Sequence, residues 1–203
     1  DYDVVSYPPG SYRQSHPERL ATIGILHGMD VPPVGACRVL EVGCGDGSNL
    51  IPMAVALPGS TFVGVDLAEE PIRRGQELIA AAGLQNAQLL SLDLMQFPAE
   101  YEAFDYIIAH GFLSWIPEFV RKRWWEIVAA HLAPNGLAYA SYNAYPAGHL
   151  RNAIRDMMNF HLARQRTPVA ERAREGREFL GKLAEGAKGD PVWKSILAFE
   201  SER

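Results

Sequence analysis

Three glycines at alternate positions, Gly43, Gly45 and Gly47, directly follow the apolar run at 38–42. A glycine-rich turn behind a buried strand lets a ligand approach the backbone closely, because no Cβ atoms stand in the way. No Gly-Lys-Ser/Thr follows, which excludes a P-loop, and Ser48 stands where the dinucleotide fingerprint needs its third glycine. The spacing therefore predicts a cofactor-binding loop and disfavours a dehydrogenase.

Two acidic residues, Glu41 and Asp46, make this loop negative. A carboxylate at Glu41, two residues before the first glycine, would repel a pyrophosphate but attract an ammonium or a sulfonium group. We therefore expect a cofactor that has an amino-acid end and a positive charge.

Two more acidic residues follow the next two β-rich runs of the sequence. Asp66 ends the second run, 21 residues after Gly45, where doubly wound folds place a carboxylate that accepts both ribose hydroxyls. Asp93 follows the third run, where it either accepts from the exocyclic amine of an adenine or simply caps the next turn. An acidic loop, an acid for ribose and an acid for adenine occur in the order that fits S-adenosylmethionine.

Five short apolar or β-branched runs alternate with helical stretches, at 38–42, 61–65, 87–92, 104–109 and 137–142. This alternation predicts an α/β fold with a doubly wound, parallel, Rossmann-like sheet. Ser15 as N-cap and Pro17 at the first helical position predict an N-terminal helix before the sheet. Helical patterns after the sheet predict a C-terminal helical extension.

Two amphipathic patterns define which helical faces we expect to be buried. The stretch at 117–132 places one set of side chains on a single face: Phe119, Val120, Trp124, Ile127, Val128, His131 and Leu132. The helical stretch after the sheet carries a second apolar stripe: Leu150, Ile154, Met157, Met158 and Leu162.

The composition limits the classes of partner and compartment. The net charge of −5 is uneven, since residues 1–150 carry 8 basic and 16 acidic side chains and residues 151–203 carry 11 and 8. An acidic body disfavours nucleic acid and attracts a basic acceptor. No apolar run has the length of a membrane span and no signal peptide is evident, so we expect no membrane partner. Cys37 and Cys44 are expected to be free thiols in the cytoplasm.

The segments "VLEVGCGDG", "VGVDL", "SLDL" and "FDYIIAHGFLSWIP" resemble the class I S-adenosylmethionine-dependent methyltransferases, across residues 38–142. The flanks "YPPGSYRQSHPERLATIGILHG" and "SYNAYPAGHLRNAIRDMMNFH" resemble bacterial methyltransferases that carry a C-terminal methyltransferase-regulatory domain. That group includes protein-lysine methyltransferases. The resemblance implies one set of cofactor-binding residues: Glu41, Gly43, Cys44, Gly45, Asp66, Leu67, Asp93, Leu94 and His110.

The resemblance also implies what each of these residues does. The residues from Glu41 to Gly45 would line the methionine half of the cofactor, and Asp66 would hold the ribose. Leu67 would lie against the adenine, whose edge Asp93 and the Leu94 backbone would contact. His110 would present its backbone carbonyl to the ammonium of the cofactor, which we favour over chemistry at its imidazole.

A polar and aromatic cluster after the fifth run supplies candidates for the acceptor side. Aromatic faces attract cations and so suit an amine. The candidate catalytic residues are Tyr12, Asn143 and Tyr145, with His16 beside them on the N-terminal segment. The alternative is that the loop after the fifth run only packs against residues 11–16.

The residue patterns predict a methyltransferase, and the resemblance implies that it acts on a protein side-chain amine, that is, on lysine. The alternatives are a small-molecule N- or O-methyltransferase and a non-catalytic cofactor-binding module. Methyl transfer from a sulfonium is an in-line displacement, for which we expect no metal.

We expect three segments, a helical cap at 1–36, a cofactor-binding core at 37–146 and a helical extension at 147–203. The regulatory region of the family is longer, and the sixth and seventh strands of the class are missing. We therefore expect a fragment of a longer protein. A homodimer through an exposed fifth strand or through the apolar stripe at 150–162 stays open.

Overall fold

The computed structural model describes residues 10–163, 165, 168–187 and 191–202. These residues form two compact units, which meet in the sequence between Tyr142 and Asn143. The first unit contains the sheet and the second contains only helices among its described residues.

The first unit is built on five parallel strands in the order β3-β2-β1-β4-β5. Their bounds are β1 Arg38–Val42, β2 Thr61–Asp66, β3 Ala87–Ser91, β4 Phe104–Ala109 and β5 Leu132–Ala140. The central β1 is in register with both neighbours, since Leu40 lies opposite Val63 on β2 and Ile107 on β4. The predicted doubly wound parallel sheet is confirmed, with β3 and β5 as its edges.

The predicted bounds of the fifth strand are wrong at both ends, because β5 starts at Leu132 rather than at 137 and ends at Ala140. Its first half contains Pro134 and Asn135, which are typical of turns, and Asn135 has a positive φ of 63°. The pairing register between β4 and β5 shifts between Phe104 and Tyr106 of β4, and this shift accommodates the irregular segment of β5.

Four α-helices complete the first unit: α1 Pro17–Leu26, α2 Leu50–Ala56, α3 Glu69–Ala81 and α4 Glu118–His131. Pro17 is the first residue of α1, as predicted, but the prediction that Ser15 caps it is wrong. His16 is the N-cap, and its Nδ1 accepts a hydrogen bond from the backbone N of Glu18 at 3.2 Å. Ser15 instead lies in a 3₁₀ turn at Arg13–Ser15, with its side chain buried.

The two faces of the sheet are covered by separate apolar clusters. One packs α1, α2 and α3 against the sheet around Val39, Phe62 and Tyr106. The other packs α4 around Leu40 and Ile107. On α4, four residues of the predicted face are buried: Trp124, Ile127, Val128 and His131. Phe119 is 60% exposed, so its predicted burial is wrong.

The second unit consists of α5 Ala147–Ala163, α6 Val169–Gly186 and α7 Pro191–Ser201. Its core contains Ile154, Leu180, Ala184 and Leu197, with Met157 and Met158 packed against them. The predicted helical extension is therefore confirmed. Within the described part of the chain, no helix has the length and apolar character needed to cross a bilayer.

Candidate active site

The loops that follow β1, β2 and β4 meet at the carboxyl edge of the sheet. β1 lies between β2 and β4, so the direction of winding reverses there. In doubly wound sheets this switch point opens a crevice in which ligands bind. The glycine loop at 43–47 and His110 directly follow β1 and β4, and Asp66 is the last residue of β2, so the fold brings them to one place.

The glycine loop has the backbone conformation that only glycine adopts without strain, since Gly43, Gly45 and Gly47 have φ values of 72°, 55° and 75°. A Cβ atom on Gly43 would lie 2.6 Å from the ring of Phe112, which packs against the loop. A Cβ atom on Gly45 would meet nothing within 4 Å. Gly45 therefore borders open space where a ligand can approach the backbone.

Asp66 links this loop to the end of β2 through hydrogen bonds. Its Oδ2 accepts a hydrogen bond from the backbone N of Gly45 at 2.9 Å, and its Oδ1 accepts one from the backbone N of Ala68 at 2.9 Å. Each carboxylate oxygen has a further lone-pair direction, so both ribose hydroxyls remain possible donors. Leu67, the predicted adenine contact, is 69% exposed beside it.

Glu41 is buried in β1 with only one of its two carboxylate oxygens satisfied. Oε1 accepts from the Asn49 side-chain amide at 2.7 Å, whereas Oε2 has no hydrogen-bond partner. Burial, with a smaller contribution from the negative Asp66, raises the pKa of Glu41 to about 7 against the lowering effect of the Asn49 hydrogen bond. A cationic donor at Oε2 would satisfy this oxygen and favour the charged form. The buried acceptor therefore fits the amino group of an amino-acid cofactor.

Asp93 is exposed and caps a 3₁₀ turn at Leu94–Gln96, since its Oδ1 accepts from the backbone N of Met95 at 2.9 Å. This is the capping alternative stated for the sequence. Contact of Asp93 and of the buried Leu94 with an adenine stays a prediction.

The imidazole of His110 is held between two tyrosines. Its ring stacks on Tyr12 with centroids 3.8 Å apart, and its Nδ1 lies 3.2 Å from the hydroxyl of Tyr139. Burial lowers the pKa of His110 below its ordinary value, so the ring is neutral at pH 7. Sequence reasoning assigned this residue a backbone role and missed the environment of its ring.

Both cysteines are free and buried. Cys44 lies in the glycine loop, where burial and the nearby carboxylates of Glu41 and Asp66 keep the pKa of its thiol well above the usual value. Burial likewise raises the pKa of Cys37. Neither thiol is activated as a nucleophile. Among the residues that the structure describes, no His, Cys, Asp and Glu side chains group closely enough to hold a metal ion.

The candidate acceptor-side residues are divided between the two units. Tyr12 belongs to the first unit and stacks on His110. Asn143 and Tyr145 belong to the second unit. Tyr145 is 65% exposed, and its hydroxyl accepts a hydrogen bond from the Asn152 side-chain amide at 3.2 Å. The side chain of His16, as the cap of α1, is occupied by its own helix.

Sequence reasoning did not identify Asn49 and Tyr139. An asparagine just before an apolar helical run is typical of an N-cap, so nothing in the sequence signals that Asn49 hydrogen-bonds Glu41. Tyr139 sits in an apolar strand, and no local pattern indicates that its hydroxyl lies beside His110.

A family model described as a methyltransferase domain matches residues 40–138. Two uncharacterized proteins of Rickettsia prowazekii, RP028 and RP789, are each 39% identical to this chain over 160 residues, which are 79% of it. Among solved structures, PKMT2 from Rickettsia typhi in complex with AdoHcy is similar with a TM-score of 0.83 and 33% identity, over 97% of this chain. A putative sarcosine dimethylglycine methyltransferase from Galdieria sulphuraria shares the fold, with a TM-score of 0.54 and 15% identity.

The parallel sheet, its glycine loop and the acids at the ends of β1 and β2 define a Rossmann-like methyltransferase fold. The chain matches a methyltransferase-domain family model at residues 40–138, and its sheet has the fold of the class I S-adenosylmethionine-dependent methyltransferases. It covers 64% of RP028, 29% of RP789 and 38% of the PKMT2 chain, which is less than two thirds of each.

Proposed function

We propose that this chain binds S-adenosylmethionine at the carboxyl edge of β1, β2 and β4 and transfers its methyl group to a protein lysine. The observation that carries the cofactor site is Glu41, a buried carboxylate with an unpaired Oε2 two residues before the glycine loop. An uncompensated buried acceptor is costly, and a cationic amino group removes that cost. A nucleotide pyrophosphate at the same place would increase the free-energy cost of this buried carboxylate, because both groups are negative.

The cofactor supplies a methyl group activated by its positive sulfur. Glu41 holds the amino end, Gly45 leaves room for the chain of the cofactor, and Asp66 accepts from the ribose. These contacts fix the direction from which an acceptor must approach. In well-aligned reactions such orientation lowers the activation free energy by about 7–11 kcal/mol.

A lysine must lose a proton before its nitrogen can attack. The His110 ring is neutral at pH 7, and its Nε2 accepts that proton in the tautomer whose Nδ1–H donates to the Tyr139 hydroxyl. Tyr12 covers one face of the same ring and presents an aromatic surface to a cationic side chain. We propose Tyr12 and His110 as the acceptor side in the first unit. Asn143 and Tyr145, in the second unit, stay candidate catalytic residues on the sequence alone.

Three observations support a protein lysine over other acceptors. PKMT2 of Rickettsia typhi has a solved structure that is 33% identical to this chain over 97% of its length, and the sequence group that the flanks resemble includes protein-lysine methyltransferases. The net charge of −5 favours a basic partner over nucleic acid.

The two free thiols suit a reducing compartment, and we place the protein in the cytoplasm on that basis.

We further propose that the β5 edge pairs with a second copy of this chain, because β5 has a neighbour only on its β4 side in the described sheet. Sedimentation velocity over a range of concentrations tests this. A sedimentation coefficient that stays monomeric at every concentration would contradict it.

The function is tested by incubating the purified chain with methyl-labelled S-adenosylmethionine and a pool of bacterial proteins. We expect label on lysine after acid hydrolysis, and less label with the Glu41→Gln variant when the cofactor is below saturation. Label on a small molecule would favour the small-molecule alternative. Cofactor binding without any labelled acceptor would favour the non-catalytic module.

A further inference from the structure

Asn49 occupies the N-cap position of α2 but does not act as a cap. Its backbone is helical, with φ −88° and ψ −41°, and its side chain makes no hydrogen bond to the first turn. An asparagine that caps a helix stabilises it by about 1 kcal/mol, and that stabilisation is forgone here. Places where a local rule is broken without local gain are typically functional.

The Asn49 carboxamide is buried and uses all its polar groups elsewhere. Its Nδ2 donates to Glu41 Oε1 at 2.7 Å and to Ser15 Oγ at 3.1 Å. Its Oδ1 accepts from the backbone N of Tyr12 at 2.8 Å. Turning the amide by 180° would set an oxygen against the Glu41 carboxylate and an N–H against the Tyr12 N–H, so one orientation is fixed.

The side chain therefore joins two parts of the site that are far apart in sequence. On one side it bonds the carboxylate whose Oε2 is left unpaired. On the other it holds the segment at 12–15, whose Ser15 Oγ also donates to the Tyr12 carbonyl at 2.9 Å. The Tyr12 ring from this segment stacks on His110 at the end of β4.

We propose that Asn49 is a positioning residue of the methyltransferase site. Its amide orients Glu41 so that Oε2 is left for the amino group of the cofactor, and the same amide fixes Tyr12 over His110. The role at Glu41 rests on the cofactor site proposed above, whereas the role at Tyr12 does not require a ligand.

Two substitutions separate the two halves of the proposal. Asn49→Ala removes the donor and the acceptor together. Asn49→Asp keeps an oxygen for the Tyr12 N–H but cannot donate to Glu41. The matched control is Asn86→Ala, since Asn86 is a buried amide whose Nδ2 donates to the backbone carbonyls of Ala54, Leu57 and Ser60, away from the glycine loop.

The first measurement is hydrogen exchange of the ligand-free proteins across residues 12–16. We expect faster exchange of the Tyr12 amide in Asn49→Ala and protection close to wild type in Asn49→Asp and Asn86→Ala. Unchanged exchange in Asn49→Ala would overturn the role at Tyr12.

The second measurement is calorimetric titration with AdoHcy as a function of pH. Both Asn49 variants should bind about tenfold more weakly than wild type at pH 7, because a hydrogen bond to a charged group is lost. The pH at which binding strengthens should move upward, because the Asn49 hydrogen bond lowers the pKa of Glu41. Asp66 from β2 and Cys44 from the loop also interact with Glu41 and are unchanged in both variants.

The outcomes distinguish this inference from the proposed function. Wild-type affinity and pH profile in both Asn49 variants, with binding by wild type intact, would overturn the role at Glu41 alone. No binding of AdoHcy or S-adenosylmethionine by wild type would overturn the proposed function, while the exchange measurement would still decide the role at Tyr12. Equal weakening in Asn86→Ala would show a merely structural effect and so contradict the proposal.

Discussion

The ring of Tyr12 stacks on the imidazole of His110 with their centroids 3.8 Å apart and the planes inclined by 28°. They are 98 positions apart in the sequence, yet the fold sets an N-terminal side chain on the loop that follows β4. The stack shields one face of a neutral imidazole whose Nδ1 already faces Tyr139. The Nδ1 of this ring therefore has a hydroxyl neighbour, and the tautomer of His110 decides which of the two groups donates.

His110→Phe should slow methyl transfer by about 10²-fold or more, because general base catalysis contributes on that order. The phenyl ring keeps the stack with Tyr12, and the backbone carbonyl is unchanged. AdoHcy affinity should therefore stay within about threefold of wild type, a difference of less than 1 kcal/mol. Single-turnover kinetics and calorimetry on the same preparation check this. Full transfer activity in the variant would remove the imidazole from the chemistry.

Asp66→Ala should weaken cofactor binding by about 1–3 kcal/mol, because the ribose hydroxyls lose a charged acceptor. It should also lower the free energy of unfolding, since the backbone N–H groups of Gly45 and Ala68 lose their partner. Asp66→Asn keeps one acceptor oxygen. Its cofactor affinity and its free energy of unfolding should lie between those of wild type and Asp66→Ala. Calorimetry that finds equal affinity in all three proteins would exclude Asp66 from the cofactor site.

Gly45→Ala and Gly83→Ala form a matched pair. Both glycines have a positive φ, 55° and 66°, and a Cβ atom at either would meet nothing within 4 Å. Each substitution should therefore cost about 1 kcal/mol of folding free energy from backbone strain. Only the Cβ at Gly45 enters the proposed crevice, so only that variant should lose AdoHcy affinity. Equal affinity of the two variants would place the ligand elsewhere.

Without ligand, Glu41→Gln should be more stable than wild type above pH 7. The pKa of Glu41 is raised from its ordinary 4.5 to about 7, so the folded chain loses stability as the pH rises through this interval. The difference should approach about 3 kcal/mol at pH 8, since one pKa unit corresponds to about 1.4 kcal/mol, and should vanish below pH 4.5. Chemical unfolding at pH 4, 6 and 8 measures it. A difference that is independent of pH would contradict the burial of a charged Glu41.

The sheet and its glycine loop were predictable because their signals are local. Buried parallel strands give continuous apolar runs, and the loop after β1 needs glycine at its positive φ positions. The start of β5 was not predictable, since Pro134 and Asn135 favour a turn and only pairing with β4 makes this segment a strand.

The candidate site was predictable where backbone position alone decides it, as for Glu41, Asp66 and His110 at the strand ends. The partners of the side chains were not. Asn49 looks like a helix cap, Ser15 was taken for the cap that His16 provides, and Tyr139 looks like an ordinary strand residue. Their hydrogen bonds join segments 29 to 37 residues apart, which no local pattern encodes.

The proposed cofactor site depends most on Glu41 as the acceptor for a positively charged amino group. The direct measurement is calorimetric titration of wild type and Glu41→Gln with AdoHcy between pH 5.5 and 8.5. We expect wild-type binding to tighten as the pH rises through about 7, where the carboxylate ionises. Glu41→Gln should bind at least tenfold more weakly at pH 8, with no such rise, while being the more stable protein without ligand. Equal affinities with parallel pH profiles would contradict the proposed cofactor site.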